Sequence, residues 1–138
     1  MFHRRFVENV LNMNLNSFHQ ITEKQFIDSQ LDVMNIEENS VLFTENSKLD
    51  YIYFLLNGEV TIRINKHTLW SVDKKEFIGI SSYFTGEKNY TYTVEASKNS
   101  TIVKINVDDF KEAIENSTEL STFIMDSLCE RIKLTLKD

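Results

Sequence analysis

Residues 51–64 read YIYFLLNGEVTIRI, and this stretch decides the fold class of the chain. Its first half places apolar residues such as Ile52 and Phe54 on one side of an extended strand. Its second half alternates apolar and polar residues with a period of two, which is typical of a half-buried strand. Asn57-Gly58 between the halves favours a type I′ turn. The stretch therefore predicts a β-hairpin.

The period of two continues on both sides of this stretch. Further strands are predicted at 33–36, 41–43, 69–72, 77–78, 91–95 and 101–107. Helical spacing predicts helices at 2–15 and 22–30, the second opened by a Thr22–Gln25 capping box. We expect one domain, with N-terminal helices at 1–30, a β-roll at 31–107 and C-terminal helices at 108–138. This order predicts a mainly β fold with flanking helices, a jelly-roll or double-stranded β-helix. The expected core includes Ile52, Phe54, Val60, Ile62, Val94, Val103 and Ile105.

The last helix carries an apolar stripe that repeats every four residues. The stripe consists of Leu120, Ile124, Leu128 and Ile132. Asn116 followed by Glu119 matches a capping box at the start of this helix. The stripe needs a partner, which is either the body of the domain or the same helix of a second copy.

Composition and charge limit the classes of function that we expect for this chain. The chain has 138 residues, a single-domain length, and a net charge of −6. An acidic chain without a Lys/Arg cluster is a poor candidate for binding nucleic acid by itself. One cysteine, Cys129, excludes an internal disulfide. There is no signal-peptide pattern and no long apolar run, so we expect a cytoplasmic protein that does not enter a membrane.

The residues that usually carry catalysis or metal binding are scattered. His3, His19 and His67 are far apart in the sequence, and Cys129 has no nearby histidine. No Gly-rich phosphate loop, nucleophile elbow or paired-carboxylate pattern is present. The sequence therefore predicts no enzyme activity, no metal site and no cofactor.

Three segments in order resemble the N-terminal sensor domain of CRP/FNR transcription regulators, the cyclic-nucleotide-binding β-roll. They are DYIYFLLNGEV at 50–60, FIGISSYF at 77–84, and the helices at 109–132. In that family the long helix packs against its twin, and a C-terminal winged helix reads DNA. The resemblance implies a homodimer with Ile124, Leu128 and Ile132 at the interface. It implies contact with DNA only if a winged helix follows in the parent protein.

The resemblance also implies a ligand pocket in the loop after residue 78. In nucleotide-binding members a Gly-Glu pair precedes an Arg and a small residue; the Glu binds the ribose hydroxyl, and the Arg and backbone amides hold the cyclic phosphate. Here Gly79 and Thr91 match the pattern, whereas Ile80 stands at the Glu position and Tyr90 at the Arg position. The candidate pocket residues are Gly79, Ile80, Ser81, Lys88, Tyr90, Thr91 and Thr135, the last at a position where some members contact the base.

The two substituted anchor positions predict weak binding of cyclic AMP and cyclic GMP. A bidentate Arg–phosphate contact is charge-assisted, whereas a tyrosine hydroxyl offers one neutral hydrogen bond. One alternative is that Ile80, Tyr90 and Tyr92 fill the pocket. The other is that the pocket binds an unknown effector that is less charged and partly aromatic. Two functions stay open: an effector-sensing and dimerisation domain of a transcription regulator, or a stand-alone protein that acts through small-molecule or protein–protein binding.

Overall fold

The computed structural model describes residues 32–136, with side chains to residue 130. The helices expected at 1–30 lie outside these residues. The strands are β1 (Asp32–Ile36), β2 (Val41–Phe43), β3 (Tyr51–Asn57), β4 (Val60–Ile64), β5 (His67–Val72), β6 (Glu76–Ile78), β7 (Thr93–Ala96) and β8 (Ser100–Asn106). The helices are α1 (Ile80–Phe84), α2 (Val107–Asn116) and α3 (Thr118–Leu136).

The eight strands form two four-stranded antiparallel sheets. One has the order β1-β8-β3-β6 and the other the order β2-β7-β4-β5. The predicted mainly β jelly roll is therefore confirmed. All seven expected core residues are buried in one cluster, which joins side chains of both sheets to Phe110 and Phe123 of the C-terminal helices.

The predicted hairpin between β3 and β4 is wrong. The two strands lie in different sheets, and φ is positive at Gly58 (106°) but not at Asn57. A Cβ at Gly58 would lie 2.2 Å from the Ser100 side-chain oxygen, so the crossing between sheets needs glycine here. The two-residue hairpin instead joins β4 to β5, where Ile64 pairs with His67.

Strand β3 is buried on both faces, from Ile52 through Leu56. Tyr53 approaches Phe43 of the opposite sheet, with ring centroids 5.9 Å apart. Phe54 points the other way and packs on Phe77 at 4.6 Å and on Phe123 of α3 at 6.2 Å. The C-terminal helix therefore covers the outer face of β3, which removes the alternation expected of a half-exposed strand.

Ser117, and not the predicted Asn116–Glu119 pair, caps α3. The Leu120 N–H donates to the Ser117 hydroxyl at 3.1 Å, whereas the Asn116 side chain donates back to the Glu112 carbonyl. Ser117 is buried at 5% exposure, and serine is one of the preferred residues at a helix N-cap. None of the helices within residues 32–136 is long and apolar enough to cross a membrane.

Candidate functional site

The candidate loop begins where β6 ends. Gly79 adopts φ 98° and ψ −2° and precedes the five-residue helix α1. A Cβ at Gly79 would meet Ile52 and Tyr90 atoms at 3.5 Å, which is ordinary contact. The left-handed conformation, and not lack of space, therefore favours glycine at this position.

A buried serine ties α1 to the segment that leads into β7. Ser82 is fully buried, and its hydroxyl shares a hydrogen bond with the Thr91 hydroxyl at 2.8 Å. The same oxygen accepts the Thr91 N–H at 3.1 Å. Nothing in the sequence distinguishes Ser82 from its exposed neighbour Ser81, and sequence reasoning missed this contact.

Tyr90, at the predicted Arg position, lies inside the roll at 3% exposure. Its ring stacks on Phe43 with a centroid distance of 3.7 Å and an interplanar angle of 13°. Its hydroxyl donates to the Tyr51 carbonyl oxygen at 2.5 Å. The Tyr90 side chain is therefore held by the stacked Phe43 ring and by its hydrogen bond to Tyr51, both within the domain.

Tyr92 forms a hydrogen bond with the backbone amide that follows β6. The Gly79 N–H donates to the Tyr92 hydroxyl oxygen at 3.0 Å in a buried position. The Tyr92 ring lies tilted against Phe43 at 5.6 Å, and Ile80 is buried beside the loop at 6% exposure. The domain's own side chains thus occupy the space next to the Gly79 amide.

Burial favours the neutral form of the Tyr90 and Tyr53 hydroxyls. It raises the pKa of Tyr90 above its ordinary value, and the neighbouring Tyr53 raises it further, while the hydrogen bond to Tyr51 acts in the opposite direction. Burial also raises the pKa of Tyr53, with an added contribution from Tyr51. At neutral pH both side chains are uncharged hydrogen-bonding groups.

The other candidate pocket residues are distributed differently. Ser81, Lys88 and Thr91 are exposed, although Thr91 is tied to α1 through its backbone N–H and hydroxyl. Lys88 contributes its carbonyl oxygen to the Leu49 N–H at 3.0 Å. Thr135 belongs to α3, but its side chain lies beyond the described side chains. The structure therefore brings Gly79, Ile80 and Tyr90 together.

Aromatic contacts connect α1 to the C-terminal helices. Tyr83 of α1 meets Phe110 of α2 edge-on at 5.4 Å. Phe110 lies 5.5 Å from Phe77 of β6, and Phe77 lies 6.0 Å from Phe123 of α3. The candidate loop and α3 are thus joined by one continuous row of rings.

The candidate dimer residues on α3 differ in burial. Ile124 is 3% exposed and packs into the domain's own core, so it offers little area to a partner. Leu128 is half buried against the same core, and Met125 beside it is 59% exposed. Ile132 lies in α3, and its side chain is outside the described ones. Within the described residues no group of three His, Cys, Asp or Glu could hold a metal ion.

A family model described as a cyclic nucleotide-binding domain matches residues 33–117. The chain belongs to the cyclic nucleotide-binding domain family. The resemblance drawn from the sequence is confirmed. A search of curated proteins finds no match.

Several solved structures have the same fold. A transcriptional regulator from Thermotoga maritima matches with a TM-score of 0.66 at 16% identity, covering 91% of this chain and 94% of that one. The sensor domain of the transcriptional regulator DNR from Pseudomonas aeruginosa matches with a TM-score of 0.62 at 20% identity, covering 72% of this chain and 73% of that one. A candidate cyclic nucleotide-binding protein from Geobacter metallireducens matches with a TM-score of 0.61 at 27% identity, covering 94% of this chain and 96% of that one.

Proposed function

We propose that this cyclic nucleotide-binding domain is the effector-sensing and dimerisation part of a CRP/FNR-like transcription regulator, and that it does not bind cyclic AMP or cyclic GMP in the usual way. The hydrogen bond from the Gly79 N–H to the Tyr92 hydroxyl carries this proposal. In nucleotide-binding members, backbone amides of this loop hold the cyclic phosphate. Here a tyrosine hydroxyl of the chain itself accepts the hydrogen bond of the first amide in this loop, that of Gly79.

The energetics of Tyr90 support the same conclusion. A nucleotide that entered the roll would have to displace the ring from Phe43 and break its bond to Tyr51. Loss of a buried aromatic side chain from a core costs about 3–5 kcal/mol. That energy corresponds to an affinity weaker by roughly two to four powers of ten. No arginine at this position offsets the loss with a charge-assisted phosphate contact.

The row of rings from Tyr83 to Phe123 supports a sensing role without catalysis. A change in the position of α1 would repack Phe110 and Phe77, and through them Phe123. Packed aromatic contacts transmit such changes because interiors are dense and deform in discrete steps. The proposal assigns no chemical step to the chain, in keeping with its match to the sensor domain of a transcriptional regulator.

The proposed dimer uses the outer face of α3 around a two-fold axis. Exposed Met125 and half-buried Leu128 supply apolar area, and we expect Leu128 and Ile132 near the axis. Leu128→Glu with Ile132→Glu should convert a dimer to a monomer in light scattering over a range of concentrations. Lys111→Glu on exposed α2 makes the same change in net charge and should leave the dimer intact.

Two outcomes would contradict the proposed dimer. One is a wild-type chain that stays monomeric at high micromolar concentration. The other is a dimer that survives both glutamates, because a charged pair at the axis of an apolar interface is strongly unfavourable.

The alternative is a stand-alone domain that acts through small-molecule or protein–protein binding. One observation favours it: the candidate cyclic nucleotide-binding protein from Geobacter metallireducens is covered over 96% of its length. Determining whether the reading frame continues beyond codon 138 into a winged helix separates the two functions. A continuing frame with that module supports the regulator, and a stop codon supports the stand-alone domain.

A further inference from the structure

A cavity lies between α3 and the turn that joins β5 to β6, away from the nucleotide loop. Its volume is about 470 Å³. The turn contributes Lys74 and Lys75 to its lining, and the helix contributes Asp126 and Glu130. A space of this size is within the range of small-molecule sites.

Two of the four charged residues around the cavity are already paired. The Lys74 ammonium lies 2.8 Å from a Glu130 carboxylate oxygen, and both side chains are more than half exposed. This ion pair joins the turn to the helix at one side of the cavity. By contrast, Lys75 and Asp126 form no ion pair with any other described residue. The lining therefore presents one unpaired cation and one unpaired anion.

We propose that this cavity binds a small zwitterion of the α-amino acid class. The ligand carboxylate would pair with Lys75, and the ligand ammonium would pair with Asp126. A simple anion would meet the Asp126 carboxylate, and a simple cation would meet Lys75. Because Lys75 is half buried, its pairing is screened by salt less than that of an exposed lysine.

The cavity and the proposed dimer face occupy different sides of α3. Asp126 and Glu130 are one helical turn apart and share a side of the helix, whereas Leu128 lies on another side. A ligand in the cavity would join the turn that precedes β6, and thus the Gly79 loop, directly to α3. The site uses none of the nucleotide-loop or dimer residues, so the result of its test does not depend on the proposed function.

Titration calorimetry at low ionic strength tests the proposal with three probes: L-leucine, L-leucinamide and 4-methylpentanoate. L-leucine should bind, and each of the others should bind at least about ten-fold more weakly, because each lacks one contact worth ~1.4 kcal/mol or more. Equal heats for all three probes, or no L-leucine binding at about 10 mM, would overturn the proposal.

Variants of the two charged residues locate the site. Lys75→Gln and Asp126→Asn should each weaken L-leucine binding about ten-fold. Lys66→Gln, an exposed lysine at the β4–β5 turn, makes the same charge change as Lys75→Gln and should have no effect. Thermal unfolding confirms that each variant is folded. Full L-leucine affinity in both Lys75→Gln and Asp126→Asn would refute this location.

Discussion

Replacing Tyr90 with alanine tests directly whether the roll is filled by its own side chains. The substitution removes a ring that stacks on Phe43 at 3.7 Å and a hydroxyl that donates to the Tyr51 carbonyl. Loss of a large aromatic side chain from a core costs about 3–5 kcal/mol. The carbonyl that loses its hydrogen bond adds about 1 kcal/mol or more. We therefore expect the free energy of unfolding to fall by about 4–6 kcal/mol.

A matched variant separates the ring from the hydroxyl. Tyr90→Phe keeps the stacked ring and removes the hydroxyl that donates to the Tyr51 carbonyl, so it should cost about 1–3 kcal/mol. Urea unfolding followed by circular dichroism measures both values. Phenol should stabilise Tyr90→Ala and not the wild type, because only the variant contains a space shaped for that ring.

The result that would refute this reasoning is a small effect of the alanine substitution. A loss below about 1 kcal/mol for Tyr90→Ala would mean that the ring contributes no core packing. A Tyr90→Phe variant as unstable as Tyr90→Ala would mean that the hydroxyl alone matters. Either result would remove the steric argument against a nucleotide.

Three further predictions follow from burial, capping and titration. Phe54→Ala should lower the free energy of unfolding by about 3–5 kcal/mol, whereas Phe84→Ala, at a 49% exposed position, should change it by less than about 1 kcal/mol. Ser117→Ala should cost about 1 kcal/mol, and Asn116→Ala, which removes no cap, should cost less. Because the folded state raises the pKa of Tyr90, stability should be complete below about pH 10 and fall above it. Urea midpoints between about pH 8 and 11 should show a smaller fall for Tyr90→Phe.

The strands could be predicted from the sequence because their local pattern agrees with the fold. The segments 33–36 and 41–43 were expected as strands and form β1 and β2. The pairing of β3 with β4 could not be predicted, since Asn57-Gly58 has the local chemistry of a hairpin. What prevents the hairpin is a distant residue, Ser100, which packs against Gly58 and belongs to β8.

The position of the candidate site could be predicted from the sequence, but the contacts within it could not. The resemblance directed attention to Gly79 and Tyr90, which lie together in the structure. The bond between Tyr92 and the Gly79 amide depends on the fold of the loop, because thirteen residues separate the partners in sequence. The cap at Ser117 was missed by one position, since Asn116 and Ser117 have similar capping preference and only the backbone path selects between them.

The most direct measurement of the central claim is titration calorimetry of the wild-type chain with cyclic AMP and cyclic GMP at millimolar concentration. The account predicts no binding tighter than the high-micromolar range for either nucleotide, because Tyr90 fills the roll and Tyr92 holds the Gly79 amide. A dissociation constant in the low-micromolar range for either nucleotide would contradict the account. It would mean that the tyrosines leave the pocket readily, or that Lys88 supplies the missing positive charge.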